Sequence, residues 1–315
     1  MSAADALAIN GGTPVIGEPF PPYRSLGEEE IAAANRVLRS GVLSAFIGAA
    51  GPGFYGGPEV QALEREAAER FGVKHLVSVN SWTSGLVAAM GAIGLEPGDE
   101  VIVTPWTMVA TATAILQWNA IPVFADIDPQ TFNIDPKAVE AAITPRTRAI
   151  STVDIFGQSA DMPALRAIAD RHGLKLVTDT AQAPGAVING VSAGTLADIG
   201  GFSLNYHKHI HCGEGGLLVT NDDRLAERLR LIRNHGEAVI DSDCPEELAN
   251  ILGHNFRLGE IEAAIAREQL QKLPALVGSR QRAAARLTHA LSQLPGLHPP
   301  QVSLGSTHVY YVYGM

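Results

Sequence analysis

Cysteine is scarce in this sequence of 315 residues, and neither an excess of basic charge nor a long apolar run is present. Two cysteines, Cys212 and Cys244, are too few for a disulfide scaffold and favour a reducing cytoplasmic location. The 23 Lys and Arg against 33 Asp and Glu give a net charge of −10, which argues against a nucleic-acid partner because phosphate binding needs a basic face. No signal-peptide pattern opens the chain, and polar residues interrupt its most apolar windows, so we expect no membrane partner.

Strand-like apolar segments alternate with helical patterns through the first 180 residues. Hydrophobic residues make up 46% of the chain, which is enough for a sizeable core. The alternation predicts βαβ units and a mainly parallel sheet covered by helices on both faces. The predicted strands cover residues 75–79, 100–104, 122–125, 149–153 and 174–179.

The remainder of the chain has shorter strands and longer helical patterns. Glycines punctuate three short strands predicted at residues 186–188, 200–204 and 216–220. An acidic stretch over residues 237–249 is a plausible domain boundary, followed by two helices predicted at 258–273 and 279–294, the second with Ser279 as its N-cap. A last strand is predicted at residues 308–313.

Polar groups follow several strands, at the sheet edge where open α/β folds bind ligands. Asn80-Ser-Trp-Thr-Ser84 joins a strand to a helix, and its hydroxyls together with the helix N-terminus could bind a phosphate. Ordinary N-capping explains the same residues equally simply. The segment is therefore a candidate anion site and not proof of one.

Asp179 and Lys208 are the next two candidates. Asp179 ends an apolar strand, where a carboxylate should face a cation or donors, although it could also cap the following turn. Lys208 follows another strand, among histidines and small residues; a poorly solvated lysine becomes a nucleophilic amine, whereas a solvated one does not. Phosphate cup, carboxylate and lysine together suggest pyridoxal 5′-phosphate (PLP), with the lysine as Schiff-base residue and the carboxylate on the pyridine nitrogen.

Three alternating histidines surround this lysine. His207, His209 and His211 would share one face of an extended segment, but no carboxylate or thiolate completes a ligand set on that face. We therefore expect no metal site, and read His207 or His209 as bordering the substrate or tuning the lysine.

Ordered blocks of this sequence resemble the DegT/DnrJ/StrS family of sugar aminotransferases, which have fold type I of the PLP enzymes. The resemblance runs from about residue 14 to the end of the chain. The blocks are Ser81-Trp-Thr83, Pro97-Gly-Asp-Glu-Val-Ile102, Asp179-Thr-Ala-Gln182, Ser203 with Lys208 five residues on, Gly213-Glu-Gly-Gly216 and Gly253-His-Asn-Phe-Arg257.

The resemblance implies a fold and a set of roles. It implies a large PLP-binding domain over residues 1–250, with a mostly parallel seven-stranded sheet between helices, and the start of a smaller α+β domain over 251–315. Lys208 and Asp179 would be catalytic, and the other cofactor-binding positions would be Trp82, Thr83, Met108, Gln182, Ser203 and Asn255. Asn255 would reach the phosphate of a neighbouring subunit, which implies a homodimer. Glutamate or glutamine would donate the amino group, and a keto-sugar, commonly nucleotide-linked, would accept it by a ping-pong reaction.

The chain departs from the family pattern in three ways. Trp82 stands where the family usually has glycine, and Met108 stands where an aromatic usually stacks on the pyridine ring, with Trp106 as an alternative stacking residue. The sequence also ends at Met315, where further strands and helices of the small domain are expected. Two rival functions stay open: a pyridoxamine-phosphate-dependent sugar dehydratase, whose family members carry His in place of the lysine, and a binding or sensor protein without turnover.

Overall fold

A seven-stranded sheet forms the centre of the computed structural model, which describes residues 6–49, 51–236 and 251–315. Its strand order is β1-β9-β8-β5-β4-β2-β3; β9 is antiparallel to both of its neighbours and all other pairs are parallel. The predicted α/β class and the mostly parallel seven-stranded sheet are confirmed. The predicted domain boundary at residue 250 and Cys244 lie outside the described residues.

The strands of this sheet are short and mostly buried, and they agree with the predicted segments within about one residue at most ends. They are β1 (His75–Val79), β2 (Glu100–Val103), β3 (Ile121–Phe124), β4 (Thr147–Val153), β5 (Lys175–Asp179), β8 (Ile199–Ser203) and β9 (Gly216–Thr220). A separate antiparallel pair consists of β6 (Val187–Ile188) and β7 (Val191–Ser192).

Helices cover both faces of the sheet. They are α1 (Glu28–Ser40), α2 (Pro58–Phe71), α3 (Trp82–Ala92), α4 (Ala110–Leu116), α5 (Pro136–Ala141), α6 (Met162–His172), α7 (Asp223–Arg233) and α8 (Glu260–Leu291). On one face, α3, α4 and α7 share a buried core with the strands; on the other, α2 and α8 form one core and α5 and α6 another. Burial on both faces explains why the central strands are continuous apolar runs.

Three local predictions were wrong. The two helices predicted on either side of Pro274 are one helix of 32 residues, so Ser279 lies inside α8 and caps nothing. Residues 308–313 form no strand; His308 makes only an isolated bridge to Gln158. The spacing of Ser25 and Glu28 predicts a capping box, whereas in the structure it is the Glu30 carboxylate that accepts from the backbone N–H of Gly27.

The C-terminal helix belongs to the same packed body as the sheet. The buried face of α8 lies against α1 and α2. The division into a large and a small domain stays a prediction. Among the described helices, α8 is the longest, and neither it nor any other combines the length and apolarity needed to cross a bilayer.

Candidate active site

A cavity opens where β1, β5 and β8 end and α3 begins, the sheet edge at which ligands are expected. It brings together six of the eight predicted positions and a seventh, Met108, at its exposed rim; Asn255 lies outside it. Its lining includes Ser81, Trp82, Thr83, Thr107, Met108, Asp179, Ala181, Gln182, Ser203, Asn205, His207, Lys208, Glu214 and Tyr311.

Asp179 lies on the cavity floor at the end of β5 and is 4% exposed. Its Oδ1 accepts from the indole Nε1 of Trp82 at 2.6 Å and from the backbone N–H of Ala181 at 3.1 Å. Its Oδ2 accepts from the hydroxyl of Thr111 at 2.8 Å. Burial raises the pKa of this carboxyl, while the three neutral donors and the charge of Lys208 oppose the rise. A buried carboxylate facing a cavity is suited to a cationic N–H donor.

Lys208 is partly buried, on the turn that follows β8. Its Nζ lies 3.4 Å from the hydroxyl of Tyr311 and 4.4 Å from the centre of that ring. Burial lowers the pKa of the lysine, and the negative charge of Asp179 opposes this effect. The amine is thus easier to deprotonate than that of a solvated lysine, which supports the nucleophilic role over the solvated one.

The N-terminus of α3 forms one wall of the cavity. Ser81 is the N-cap, and its hydroxyl accepts from the backbone N–H of Ser84 at 3.0 Å. The first intrahelical bond runs from Gly85 N to Ser81 O, so the N–H groups of Trp82 and Thr83 precede the helical ladder. Thr83 is exposed, and Ser203 ends β8 in the same cavity. Backbone N–H groups and hydroxyls at a helix N-terminus are suited to a phosphate.

The side chains of Gln182 and Met108 lie on other parts of the cavity wall. The Gln182 carboxamide oxygen accepts from the backbone N–H of Phe156 at 2.7 Å, which leaves its NH₂ group to face a ligand. Met108 lines the rim and is 66% exposed, whereas Trp106 stacks with Phe132 outside the lining residues. Met108 therefore stays the candidate for contact with a cofactor ring.

Asn255 does not line the cavity of its own chain. It is exposed, forms an isolated bridge with Asn234, and its carbonyl oxygen accepts from the Asn80 side chain at 3.4 Å. Asn80 directly precedes the helix-capping Ser81, so this segment lies close to the cavity rim. The role of Asn255 toward a neighbouring subunit stays a prediction.

The three histidines around Lys208 point to different surroundings because the segment is a turn and not a strand. His207 is exposed at the cavity, while His209 is buried and shares a hydrogen bond of 2.9 Å with the carbonyl of Val309. Within the described part of the chain, no cluster of His, Cys, Asp or Glu could hold a metal ion.

Sequence reasoning missed two residues of the site. Thr111 received no role, and its hydroxyl reaches Asp179 only because α4 and β5 belong to the same buried core. Tyr311 was assigned to a strand, whereas it lines the cavity from the irregular segment 306–312, in which Val309 N–H donates to the carbonyl of Gly157. No local pattern in the sequence reports either long-range contact.

The fold, with this cavity at the carboxyl ends of its parallel strands, is that of an aminotransferase. The sequence model of the DegT/DnrJ/EryC1/StrS aminotransferase family matches residues 25–315, and the chain belongs to this family. The predicted resemblance is confirmed.

Three relatives illustrate the match. An L-glutamine:2-deoxy-scyllo-inosose aminotransferase from Streptoalloteichus tenebrarius is 41% identical over 98% of this chain and 73% of that protein. A UDP-N-acetyl-3-dehydro-alpha-D-glucosamine 3-aminotransferase from Acidithiobacillus ferrooxidans is 41% identical over 81% of this chain and 68% of that protein. The crystal structure of DesV from S. venezuelae, in complex with a ketimine intermediate, superimposes with a TM-score of 0.82 at 38% identity, covering 91% of this chain and 73% of that one.

Proposed function

We propose that this protein is a PLP-dependent aminotransferase that moves an amino group from glutamine or glutamate to the ketone of a sugar or cyclitol, by a ping-pong reaction. The observation that carries the proposal is the meeting of Asp179 and Lys208 at one cavity beside the N-terminus of α3. Two relatives at 41% identity are named for a cyclitol ketone and for a UDP-linked keto-sugar, which supports this class of acceptor.

The residues present fit PLP at each of its polar ends. Thr83, Ser203 and the first N–H groups of α3 would hold the phosphate, and Asp179 would accept from the protonated pyridine nitrogen. Gln182 would donate to the ring hydroxyl, and Met108 would lie on the ring as a soft thioether contact. When bound, PLP supplies a carbonyl that reacts with amines and an electron sink for the substrate carbon.

Lys208 performs the remaining chemistry. Its lowered pKa lets the amine lose its proton, so that Nζ acts as a nucleophile and afterwards as a base that takes a proton from the substrate carbon and returns it. Tyr311 covers Nζ and limits the access of water to it. Because the same lysine serves both half-reactions, one site can accept successive amine and ketone substrates.

Lys208 also weighs against the dehydratase alternative. Dehydratases of this family resemble the chain but carry a histidine at the lysine position, and here the neighbouring His207 and His209 do not replace it: His207 is exposed and His209 is turned to Val309. Trp82 departs from the family glycine, yet its indole donates to Asp179 and leaves the helix N-terminus open to the cavity. Both observations favour the aminotransferase.

An absorption spectrum tests the function directly. We expect the purified protein with added PLP to show a visible band that bleaches on addition of glutamine or glutamate. Lys208→Ala should abolish both the band and turnover while the far-ultraviolet circular dichroism stays unchanged. Lys137→Ala, at an exposed helix position, is the matched control and should behave like the wild type. Transamination by Lys208→Ala, or a wild-type protein that does not bind PLP, would refute the proposal.

We further propose a homodimer in which Asn255 of one subunit reaches the phosphate site of the other. Its exposure and its absence from its own cavity support this arrangement. Mixing two inactive variants, Lys208→Ala and Asn255→Ala, should restore about a quarter of the wild-type sites through random pairing in hybrid dimers. If Asn255 acted within its own chain, every site in the mixture would lack one of the two residues and no activity would return.

A further inference from the structure

The indole of Trp82 lies at the base of the cavity and packs directly against two glycines, Gly85 and Gly201. Its indole is 6% exposed and packs among α3, β8 and β9. A Cβ at Gly85 would stand 2.8 Å from indole Cε3, and one at Gly201 would stand 2.3 Å from Cζ3. Neither glycine has a positive φ, so backbone conformation does not require them. At Gly85 the indole itself is the nearest obstacle to a side chain, which shows that the helix is shaped to admit this ring.

Packing against these two glycines orients the indole N–H toward the carboxylate of Asp179. Gly201 is the register partner of Asp179 across β5 and β8, and the ring passes over Gly201 to reach Oδ1 of that residue. The contact is a hydrogen bond of 2.6 Å, buried on all sides. An indole nitrogen is only a donor, so it can satisfy a carboxylate oxygen but cannot take a proton from it.

A count of donors around Asp179 leaves room for one more. An ionised carboxylate has about four lone-pair positions. Trp82, Thr111 and the backbone N–H of Ala181 occupy three of them. The fourth lone-pair position has no donor among these three, and the Asp179 side chain that carries it lines the cavity. All three donors are neutral groups, held in the turn after β5 and on helices α3 and α4.

We propose that Trp82 is a positioning residue for ring-nitrogen recognition: with Thr111 it fixes the Asp179 carboxylate in its ionised form, with one lone pair aimed at the pyridine nitrogen. The inference rests on the proposed PLP function. Without the indole donor, a buried carboxylate would more readily keep a proton for itself and would hold a protonated ring nitrogen less well. Trp82 thus supports Asp179 at the very position where the family usually has glycine.

Comparing two cofactors isolates this role from general packing. 1-Deaza-pyridoxal 5′-phosphate has the aldehyde and phosphate of PLP but no ring nitrogen. A hydrogen bond to a charged group contributes about 1.5–3 kcal/mol, so we expect the wild-type apoprotein to bind PLP at least ~10-fold more tightly than the analogue by calorimetric titration. In Trp82→Phe this preference should shrink about tenfold, while the affinity for the deaza analogue changes little.

Matched variants separate position from composition. Trp118→Phe removes another indole that packs on α3, but its Nε1 donates to the carbonyl of Val87 and not to Asp179, so the preference for PLP should be retained. Should Trp82→Phe fail to fold, Thr111→Val tests the other carboxylate oxygen. Thr111→Ser should restore the preference, and Thr113→Val, whose hydroxyl bonds only within α4, should leave it intact.

The outcomes are distinct. A smaller PLP preference in Trp82→Phe and Thr111→Val, but not in their controls, supports the inference. Equal losses of affinity for both cofactors, or an unchanged ratio, would overturn it and leave Trp82 a packing residue. A wild-type apoprotein that binds PLP without preference over the analogue, or does not bind it, would overturn the proposed role of Asp179 as well, and this result appears without any variant.

Discussion

The protonation of Lys208 depends on the side chain that covers it. Nζ lies beside the ring and the hydroxyl of Tyr311, and burial is the main cause of the lowered pKa of the lysine. The cavity and the segment 306–312 act together here, because Tyr311 reaches the lysine only while that segment is held against Gly157. A residue about a hundred positions away in sequence therefore contributes to the burial that lowers the pKa of this amine.

Replacing Tyr311 should change the lysine in a predictable direction. Tyr311→Ala admits water to Nζ, so the pKa of Lys208 should rise toward its ordinary value, because solvation favours the charged amine. Tyr311→Phe keeps the covering ring and should leave the pKa close to that of the wild type. The pH dependence of acetylation of Lys208 in the apoprotein, measured by mass spectrometry against exposed Lys137, checks this. A midpoint that moves equally in both variants would show that the hydroxyl, and not burial, controls the amine.

Residues adjacent to strand ends were predictable, and those brought in by packing were not. Asp179 and Ser203 end buried strands and Lys208 lies in the turn after β8, and parallel strands bring their carboxyl ends to one edge. Thr111 lies on helix α4, and the helical periodicity predicts only that its side chain is buried, not which group its hydroxyl contacts. For Trp82 the sequence revealed the departure from glycine but not its use, because the direction of the indole depends on Gly85 in its own helix and on Gly201 in β8.

Secondary structure elements were predicted well wherever both sheet faces were buried. Strands β1, β2, β4 and β5 are short runs rich in valine, isoleucine and other apolar residues. This pattern is typical of a strand buried on both faces, so the local sequence was sufficient to predict them. Pro274 misled the prediction for α8, since proline usually ends a helix. It lies on the exposed side of α8, while Leu270, Leu273 and Val277 stay buried on both sides of it. Packing against α1 and α2 therefore keeps the helix continuous.

The layered architecture explains how distant segments meet at one cavity. The central strand β5 places Asp179 at the edge formed by the carboxyl ends of the parallel strands. Helices α3 and α4 cover one face of the sheet and supply Trp82 and Thr111. The segment 306–312, which we call the closing segment, supplies Tyr311 to the cavity wall. The mostly parallel sheet could be predicted from alternation alone, but the path of the closing segment could not. It is held by isolated bridges and single backbone bonds, which have no sequence periodicity.

Two buried histidines, one in the closing segment and one in contact with it, make the free energy of unfolding sensitive to acid. His209 and His308 are buried as neutral side chains: Nε2 of His209 donates to the carbonyl of Val309, and Nδ1 of His308 accepts from the backbone N–H of Tyr310. Burial lowers the pKa of each to about 4, and the positive charges of Arg280 and Lys208 add to the effect at His209. Between pH 6.5 and 4 the unfolded chain therefore binds more protons than the folded one, and stability falls as pH falls.

Buried carboxyls work in the opposite direction, and both Asp154 and Asp179 have a raised pKa. Asp154 lies beneath the site, where its oxygens accept from the Thr180 hydroxyl at 2.7 Å and the Ala160 backbone N–H at 2.9 Å. Burial raises its pKa to about 6, so between pH 6 and 3.8 the folded state holds a proton that the unfolded state has released. This contribution stabilises the fold as pH falls. The two histidines outweigh Asp154, and these three groups together should lower the free energy of unfolding by roughly 3 kcal/mol between pH 7 and pH 4. The raised pKa of Asp179 acts in the same direction as that of Asp154 and reduces this loss.

His308→Gln should remove about half of the histidine contribution and make the pH dependence of stability much flatter over this range. Glutamine can still accept from the Tyr310 N–H, but it does not titrate. Loss of the ring that stacks on Tyr310 at 4.1 Å lowers the stability at every pH and leaves the slope as the informative quantity. Urea unfolding at pH 7, 6, 5 and 4 measures that slope, and His289→Gln, on the exposed end of α8, should reproduce the wild-type curve. If His308→Gln and the wild type lost stability in parallel, the acid sensitivity would reside in other groups, and the closing segment would not be the element that couples the fold to pH.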